Sequence, residues 1–357
     1  MIKSCYIHIP FCKNICSYCD FCKMYYNKDF IDKYLLSLEK EINLYYKNDL
    51  LNTLYIGGGT PSCLDEISLK KLFKIINIFK LNKTYEFTFE CNIEDINEKL
   101  LIFLKENKVN RISIGLQSFN KKYIEFMNRK YLNKKEITDK INLVKKYFNN
   151  INIDLIYGIN NETLKELQEE VKNFIELDVN HISLYSLILE DNTILKTKKY
   201  KEIDDDLNRK MYDYIRKTLK KNNYIHYEIS NFSKKGYMSK HNLCYWNNDN
   251  YYGFGLGSSG FIENIRYTNT RSLNSYINGN YRYYEEKIDK NRNMEYEMIL
   301  NLRKIKGISK KKFYKKYNLN IKDVFDVSKL KENKYYFYIP KKYLFVENYI
   351  LSDFILD

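Results

Sequence analysis

The sequence predicts an α/β protein whose parallel βαβ units wind into a barrel or partial barrel, followed by a small helical unit. Three observations carry this. Short β-rich runs alternate with longer amphipathic runs through the first 200 or so residues. Every cluster of chemically distinctive residues directly follows a β-rich run, at the strand ends where parallel α/β proteins keep their sites. The pattern then changes, and 357 residues exceed what one core usually holds.

The strands expected in order are Cys5–Ile9, Thr53–Ile56, Tyr85–Glu90, Arg111–Gly115, Ile151–Ile156 and His181–Ser186. Ile151, Ile153 and Leu155 alternate at the strand period of two. Helices are expected over Asp29–Tyr46, Ser68–Phe79, Asn97–Glu106, Lys121–Phe148 (as two helices) and Thr163–Leu177. In the last, Leu164, Leu167, Val171 and Phe174 recur at helical spacing. Beyond residue 200, a helix near Asp204–Lys221 leads to Tyr227–Phe232 and a glycine-dense turn at Gly253–Gly260. From about Glu295 the chain reads as a small helical unit, with a hairpin of Tyr335–Pro340 and Tyr343–Val346 and a closing helix over Asn348–Ile355. The division is 1–200, 201–290 and 291–357, without an internal repeat.

The net charge of +15 invites a nucleic-acid reading. The lysines, however, are scattered or paired with Glu along helices, as in Lys165-Glu166-Leu167-Gln168-Glu169-Glu170. They also accompany abundant Asn, Ile, Tyr and Phe, the products of AT-rich codons. No nucleic-acid partner is expected. No apolar run approaches the roughly 18 residues of a membrane span, and the chain enters its first strand by Lys3, which leaves no targeting segment. A cytoplasmic protein is expected, any membrane contact being peripheral, and clustered reduced thiols fit that compartment.

Cys12, Cys16 and Cys19 lie in a short polar loop after the first strand, spaced C-x3-C-x2-C. Soft thiolates so placed suit an iron–sulfur cluster or zinc. A closed zinc site takes four ligands, and the fourth here would be Cys22 or His8. Three thiolates instead leave a cubane cluster with one iron open to a further ligand, and so a reaction site.

The string Ile7-His8-Ile9-Pro10-Phe11-Cys12-Lys13-Asn14-Ile15-Cys16-Ser17-Tyr18-Cys19-Asp20-Phe21 closely resembles the cluster loop of radical S-adenosylmethionine (SAM) proteins. The resembling branch holds oxygen-independent coproporphyrinogen III oxidase and its haem-chaperone relatives. The resemblance implies a partial (β/α)6 barrel, a small winged-helix-like C-terminal domain and a 4Fe–4S cluster on Cys12, Cys16 and Cys19. In that family the open iron chelates SAM, and the reduced cluster cleaves it to a 5′-deoxyadenosyl radical.

Other motifs acquire roles from the same resemblance. Gly57-Gly58-Gly59-Thr60-Pro61-Ser62 alone reads as a tight turn whose amides can approach an anionic group. The family assigns Gly58, Gly59 and Thr60 to the methionyl end of SAM. Glu90 ends an apolar strand, where a carboxylate needs water or a partner. The resemblance makes Glu90, Gln117, Arg129 and Asp154 SAM contacts, and sets Tyr6 and Tyr18 beside the cofactor. The chain departs from the family at Arg129-Lys130-Tyr131, often Arg-x-His, and at Gly158-Ile159-Asn160, usually Gly-x-Pro. It also departs at Gly255-Leu256-Gly257-Ser258-Ser259, which lacks the chaperones' turn histidine. Cys22 lies one residue further from Cys19 than the oxidase's fourth cysteine; of its two readings, a fourth cluster ligand in the SAM-free state or a free thiol in a polar loop, the free thiol is favoured. Cys5, Cys63, Cys91 and Cys244 read as small apolar fillers.

His241-Asn242-Leu243-Cys244-Tyr245-Trp246 holds one of four histidines and the only tryptophan. A histidine among aromatics is commonly structural, yet haem needs an axial His or Cys and flat apolar surface. The segment corresponds to the His-Asn-x-x-Tyr-Trp motif of the haem chaperones, which makes His241 the expected haem contact. Two functions follow from the resemblance. One is a haem chaperone that transfers haem to an acceptor protein, such as a respiratory haem enzyme. The other is the oxidase, which converts two propionates of coproporphyrinogen III to vinyl groups. The motif, and a cysteine loop near the start of the chain, favour the chaperone. The Gly255–Ser259 turn is nearer the oxidase's. A radical-SAM RNA-modifying enzyme would carry an RNA-binding module, and none is visible.

Overall fold

The computed structural model describes residues 1–356. Six parallel strands form its centre: β1 (Ser4–Ile9), β2 (Leu50–Gly58), β3 (Lys80–Asn92), β4 (Arg111–Gln117), β5 (Ile151–Tyr157) and β6 (His181–Ser186). Each pairs in parallel with the next in chain order. They are joined by α1 (Lys28–Tyr45), α2 (Glu66–Ile76), α3 (Glu98–Glu106), the pair α4 (Lys121–Phe126) and α5 (Lys134–Tyr147), and α6 (Leu164–Glu176). The expected partial (β/α)6 arrangement is present. Asn27, Asp65, Asn97, Asn120, Asn133 and Thr163 cap these six helices with their side chains. Four of these six caps are asparagines, so some of the asparagine that composition attributes to codon bias has a structural use.

Strand alternation sorts the sheet into two unlike faces. Ile7, Leu54, Phe89, Ile114, Ile153 and Ile182 are buried with the helices in one apolar core. On the other face, register aligns Tyr6, Tyr55, Thr88 and Arg111 across four strands, with Glu90, Ser113 and Asn152 one step further along. A closed barrel of this type fills its interior with Val, Ile and Leu. Here the interior face is polar, and so builds a lumen instead of a core.

Three further strands extend the sheet to nine. After α7 (Asp205–Lys221), β8 (Asn231–Ser233) adds antiparallel to β6 and β7 (Ile225–Glu228) antiparallel to β8 at the sheet edge. Following α8 (Lys240–Trp246), β9 (Tyr252–Phe254) adds parallel to β1. The sequence reading treats this last segment as part of a turn. It is a strand because its backbone pairs with Cys5–Ile7 while Tyr252 and Phe254 are buried, and Gly253 has no side chain because the Ser259 carbonyl lies 1.9 Å from where its Cβ would be.

The C-terminal unit contains α9 (Lys290–Leu302), α10 (Lys310–Tyr317) and a small antiparallel sheet of Ile308–Ser309, Tyr336–Tyr338 and Lys331–Glu332. The expected hairpin partner Tyr343–Val346 is instead part of a 3-10 turn over Lys341–Val346. Pro340, with φ −56° and no N–H to donate, starts that turn and ends the strand. The unit docks through Ile229 N–H to Arg303 O (3.1 Å) and Ile305 N–H to Tyr227 O (3.1 Å). Among the described residues, no helix is long and apolar enough to cross a membrane.

Candidate functional site

β1 delivers the chain into the cysteine loop. Phe11–Cys12 pairs in parallel with Met24–Tyr25, closing the loop on itself. Its far side is tied to α4 by Ser17, whose N–H donates to Met127 O (3.1 Å) and whose hydroxyl donates to Phe126 O (2.9 Å). Cys12, Cys16 and Cys19 then line one cavity of about 370 Å³. Among the described residues, no three His, Cys, Asp or Glu side chains meet at a point suited to one metal ion. The zinc alternative loses both its fourth ligands. Cys22 lines the adjoining chamber and not the cavity shared by the other three cysteines. His8 engages both ring nitrogens, with the Tyr6 hydroxyl (3.0 Å) and Cys22 O (2.7 Å). A cubane asks for a different donor set, one thiolate on each of three irons, and the loop fits that. Burial pushes the Cys12 thiol up to about 11, partly offset by the Thr60 hydroxyl that donates to its sulfur at 3.5 Å. The thiolate therefore depends on metal charge.

The glycine loop after β2 is pinned against the cysteine loop by Gly59 N–H to Ile9 O (2.8 Å) and Thr60 N–H to Phe11 O (2.9 Å). A Cβ on Gly57 would lie 2.7 Å from the Glu90 carboxylate, and one on Gly58 2.7 Å from the His8 ring. One on Gly59 would lie 2.9 Å from the Cys12 sulfur. Different neighbours thus fill the space of each missing side chain, which a tight turn alone would not require. Glu90 accepts from the Tyr55 hydroxyl (2.5 Å) and from Gly58 N–H (3.0 Å).

Gln117, Arg129 and Asp154 line the same cavity, as does Tyr18. A bulge between Gly115 and Gln117 breaks the ladder to β5, and Gln117 takes φ +71°, rare for a residue with a side chain. Its Oε1 is buried without a partner. A strained backbone holding an unsatisfied carbonyl oxygen against a cavity is what a ligand contact requires. Arg129 donates to Gly115 O (2.8 Å) and Asn92 Oδ1 (3.1 Å), with Cys16 Sγ 4.0 Å away. It fixes the floor of the cysteine loop with positive charge. Asp154 accepts from Asn152 (2.8 Å).

Tyr6 and His241 stand apart from that group. They line an adjoining chamber of about 470 Å³ with His8, Cys22, Tyr245 and Arg271. Tyr55, Glu90, Asn242 and Phe21 are walls of both spaces. The His241 ring is 1% exposed, and its nitrogens engage the Thr53 hydroxyl (2.7 Å) and the Tyr245 hydroxyl (2.8 Å). The free axial imidazole expected from sequence is not what this arrangement presents, because Nε2 would first have to leave Tyr245. Trp246 lies beneath the Arg303 guanidinium, 5.8 Å from its ring centroid, and so faces the C-terminal unit. The sequence reading passes over Tyr55, Arg111 and Asn242. For Tyr55 and Arg111 the signal is the period-two alternation of polar residues across several strands, which shows only once register is known; Asn242 lies on α8, inside the motif already singled out.

Residues 6–174 match the family model of the Radical SAM superfamily. Fold and cysteine loop together define a protein of that class, which carries a 4Fe–4S cluster and SAM. Heme chaperone HemW of Lactococcus lactis subsp. lactis (strain IL1403) is 39% identical over 332 residues, 90% of this chain and 87% of that protein. Heme chaperone HemW of Bacillus subtilis (strain 168) is 38% identical over 338 residues, 91% and 89% of the two chains. The structure of coproporphyrinogen III oxidase (HemN) from Escherichia coli is similar with a TM-score of 0.86 at 20% identity, covering 99% of this chain and 90% of that one. The chain belongs to the heme chaperone HemW family of radical SAM proteins.

Proposed function

We propose that this protein binds haem and passes it to an acceptor protein in the cytoplasm, with the cluster and SAM as structural or switching elements. The observation that carries the reading is the shared wall. His241, Asn242 and Tyr245 of the chaperone-type motif line a chamber whose other side, Tyr55 and Glu90, also bounds the cluster cavity. The chamber offers flat aromatic surface from Tyr6, Tyr55 and Tyr245 and one cation, Arg271, for an acidic group. Burial pulls His241 down to about 3, so its imidazole is neutral and able to bind a metal at any physiological pH.

Cys12, Cys16 and Cys19 would hold the cluster, which supplies an electron and an open iron to SAM when both are bound. Gly58, Gly59 and Thr60 would receive the methionyl end, Gln117 and Arg129 its polar groups, and Glu90 and Asp154 hydroxyl or ammonium donors. Burial pushes the Glu90 carboxyl up to about 7, with the Tyr55 hydroxyl opposing the shift and the Asp154 charge adding to it. Only the ionised form can accept from two donors while balancing the SAM cation. SAM affinity, read by calorimetry or the cluster's EPR signal, is expected to rise between about pH 6 and about pH 8. Glu90→Gln should flatten that rise. A profile identical in the variant would remove Glu90 from the site.

Haem titration tests the main claim. A Soret shift is expected with the wild type, and His241→Ala should weaken binding by about tenfold. Tyr245→Phe separates two roles for His241. It frees Nε2 and should tighten haem binding if that nitrogen ligates the iron. Coproporphyrinogen III with SAM and reductant should give no protoporphyrinogen. Turnover, with haem binding indifferent to His241, would restore the oxidase reading.

A further inference from the structure

Two polar side chains that line the cluster cavity, Arg111 and Asn242, have no role in the site as described so far. Arg111, the first residue of β4, is 2% exposed and lines the cluster cavity. Among the described residues its guanidinium makes no ion pair and no hydrogen bond, and its Nε is buried without a partner. Asn242, in α8, lines both the cavity and the adjoining chamber, and among the described residues its side-chain amide is likewise without a hydrogen bond. A buried guanidinium with nothing to pair with is among the costliest arrangements a fold can keep. The other buried cation of the cavity, Arg129, is by contrast fully engaged with Gly115, Asn92 and Glu94.

We infer that Arg111 and Asn242 form a carboxylate-binding subsite at the lumen floor. Resting on the haem reading, this subsite takes a haem propionate that reaches past the shared wall. A guanidinium fork and an amide N–H match the two oxygens of one carboxylate. A dianionic phosphate fits less well, because the same cavity holds Glu90 and Asp154. Both acids feel the Arg111 charge, which favours their ionised forms, but neither makes an ion pair with it. Glu90 is turned to Tyr55 and Gly58, and Asp154 to Asn152. The propionates are the only acidic groups of haem, and Asn242 stands on the path between the two spaces. The carboxylate of SAM is the other source of the same chemistry.

The test compares haem with its propionate dimethyl ester, titrated at the Soret band on anaerobically reconstituted protein, with SAM affinity measured alongside. The wild type should prefer haem over the ester by on the order of tenfold or more, the worth of one charge-assisted bidentate contact. Arg111→Gln and Asn242→Ala should bring that ratio towards one, with far smaller effects on SAM. Asn242→Ala, at a half-buried position, and Arg111→Lys, which keeps the charge but loses the fork, provide the answer if Arg111→Gln does not fold. Full preference retained in the variants overturns the inference. So does a loss of SAM affinity with the haem-to-ester ratio preserved, which gives the carboxylate to SAM. Equal wild-type affinity for haem and ester overturns the subsite and leaves the haem reading standing. No haem binding at all removes both.

Discussion

Cys12→Ala, Cys16→Ala and Cys19→Ala should each strip most of the iron from the anaerobically reconstituted protein, whereas Cys22→Ala should keep it. The three residues line one cavity, and a loop tied at both ends holds them there. A cubane held by three thiolates has no spare ligand, so removing one exposes a second iron to solvent and to loss. Cys22 is a different case. It sits in the neighbouring chamber, and its carbonyl oxygen rather than its sulfur makes the structural bond, accepting from His8. Iron content and the reduced-state EPR signal read the outcome. Retention of both in Cys16→Ala, or their loss in Cys22→Ala, would mean that the ligand set is wrong.

How much of this was legible beforehand depends on whether the signal is local. Each of the six parallel strands is a β-rich run bounded by turn residues, and each capping Asn, Asp or Thr precedes its helix directly, so both show in the sequence. The cluster loop shows because eight residues, Cys12 to Cys19, carry the whole donor set. Tyr252–Phe254 is missed because three residues hold no period, and what makes them a strand is pairing with Cys5–Ile7 at the other end of the chain. Tyr343–Val346 is mistaken for a strand because a short run of apolar and aromatic residues after a proline fits a hairpin as well as a turn. His241 is read from its motif as a free ligand. Its partners, Thr53 and Tyr245, lie on β2 and one helical turn away, and only the fold shows both nitrogens occupied. Arg111 is the plainest instance. At the start of a strand it looks like a solvated end, yet register sets it on the polar interior face beside Thr88.

Gly59→Ala is expected to abolish SAM binding and damage the cluster, and it does so through contact alone. Its Cβ would lie 2.8 Å from the Pro10 carbonyl carbon, 2.9 Å from Phe11 O and 2.9 Å from the Cys12 sulfur. Two of these are backbone atoms of a strand end and cannot swing aside as a side-chain tip would. Gly57→Ala is milder for the fold, because the clashing group is the movable end of Glu90, but it displaces a SAM anchor. Gly58→Val adds a second penalty, since φ is +119° there and the His8 ring lies 2.7 Å from the new Cβ. A residue forced into such backbone geometry costs on the order of 1–3 kcal/mol, or roughly 5- to 150-fold in an equilibrium. Gly236→Ala separates the two effects. It has φ +91° with nothing within 4 Å of the added carbon, so it should lower the melting temperature and leave iron content and SAM affinity alone. If Gly59→Ala matched Gly236→Ala in both readouts, the glycine loop would be a turn and nothing more. If Gly59→Ala alone loses the SAM-dependent EPR change, the loop is the wall that brings SAM to the open iron.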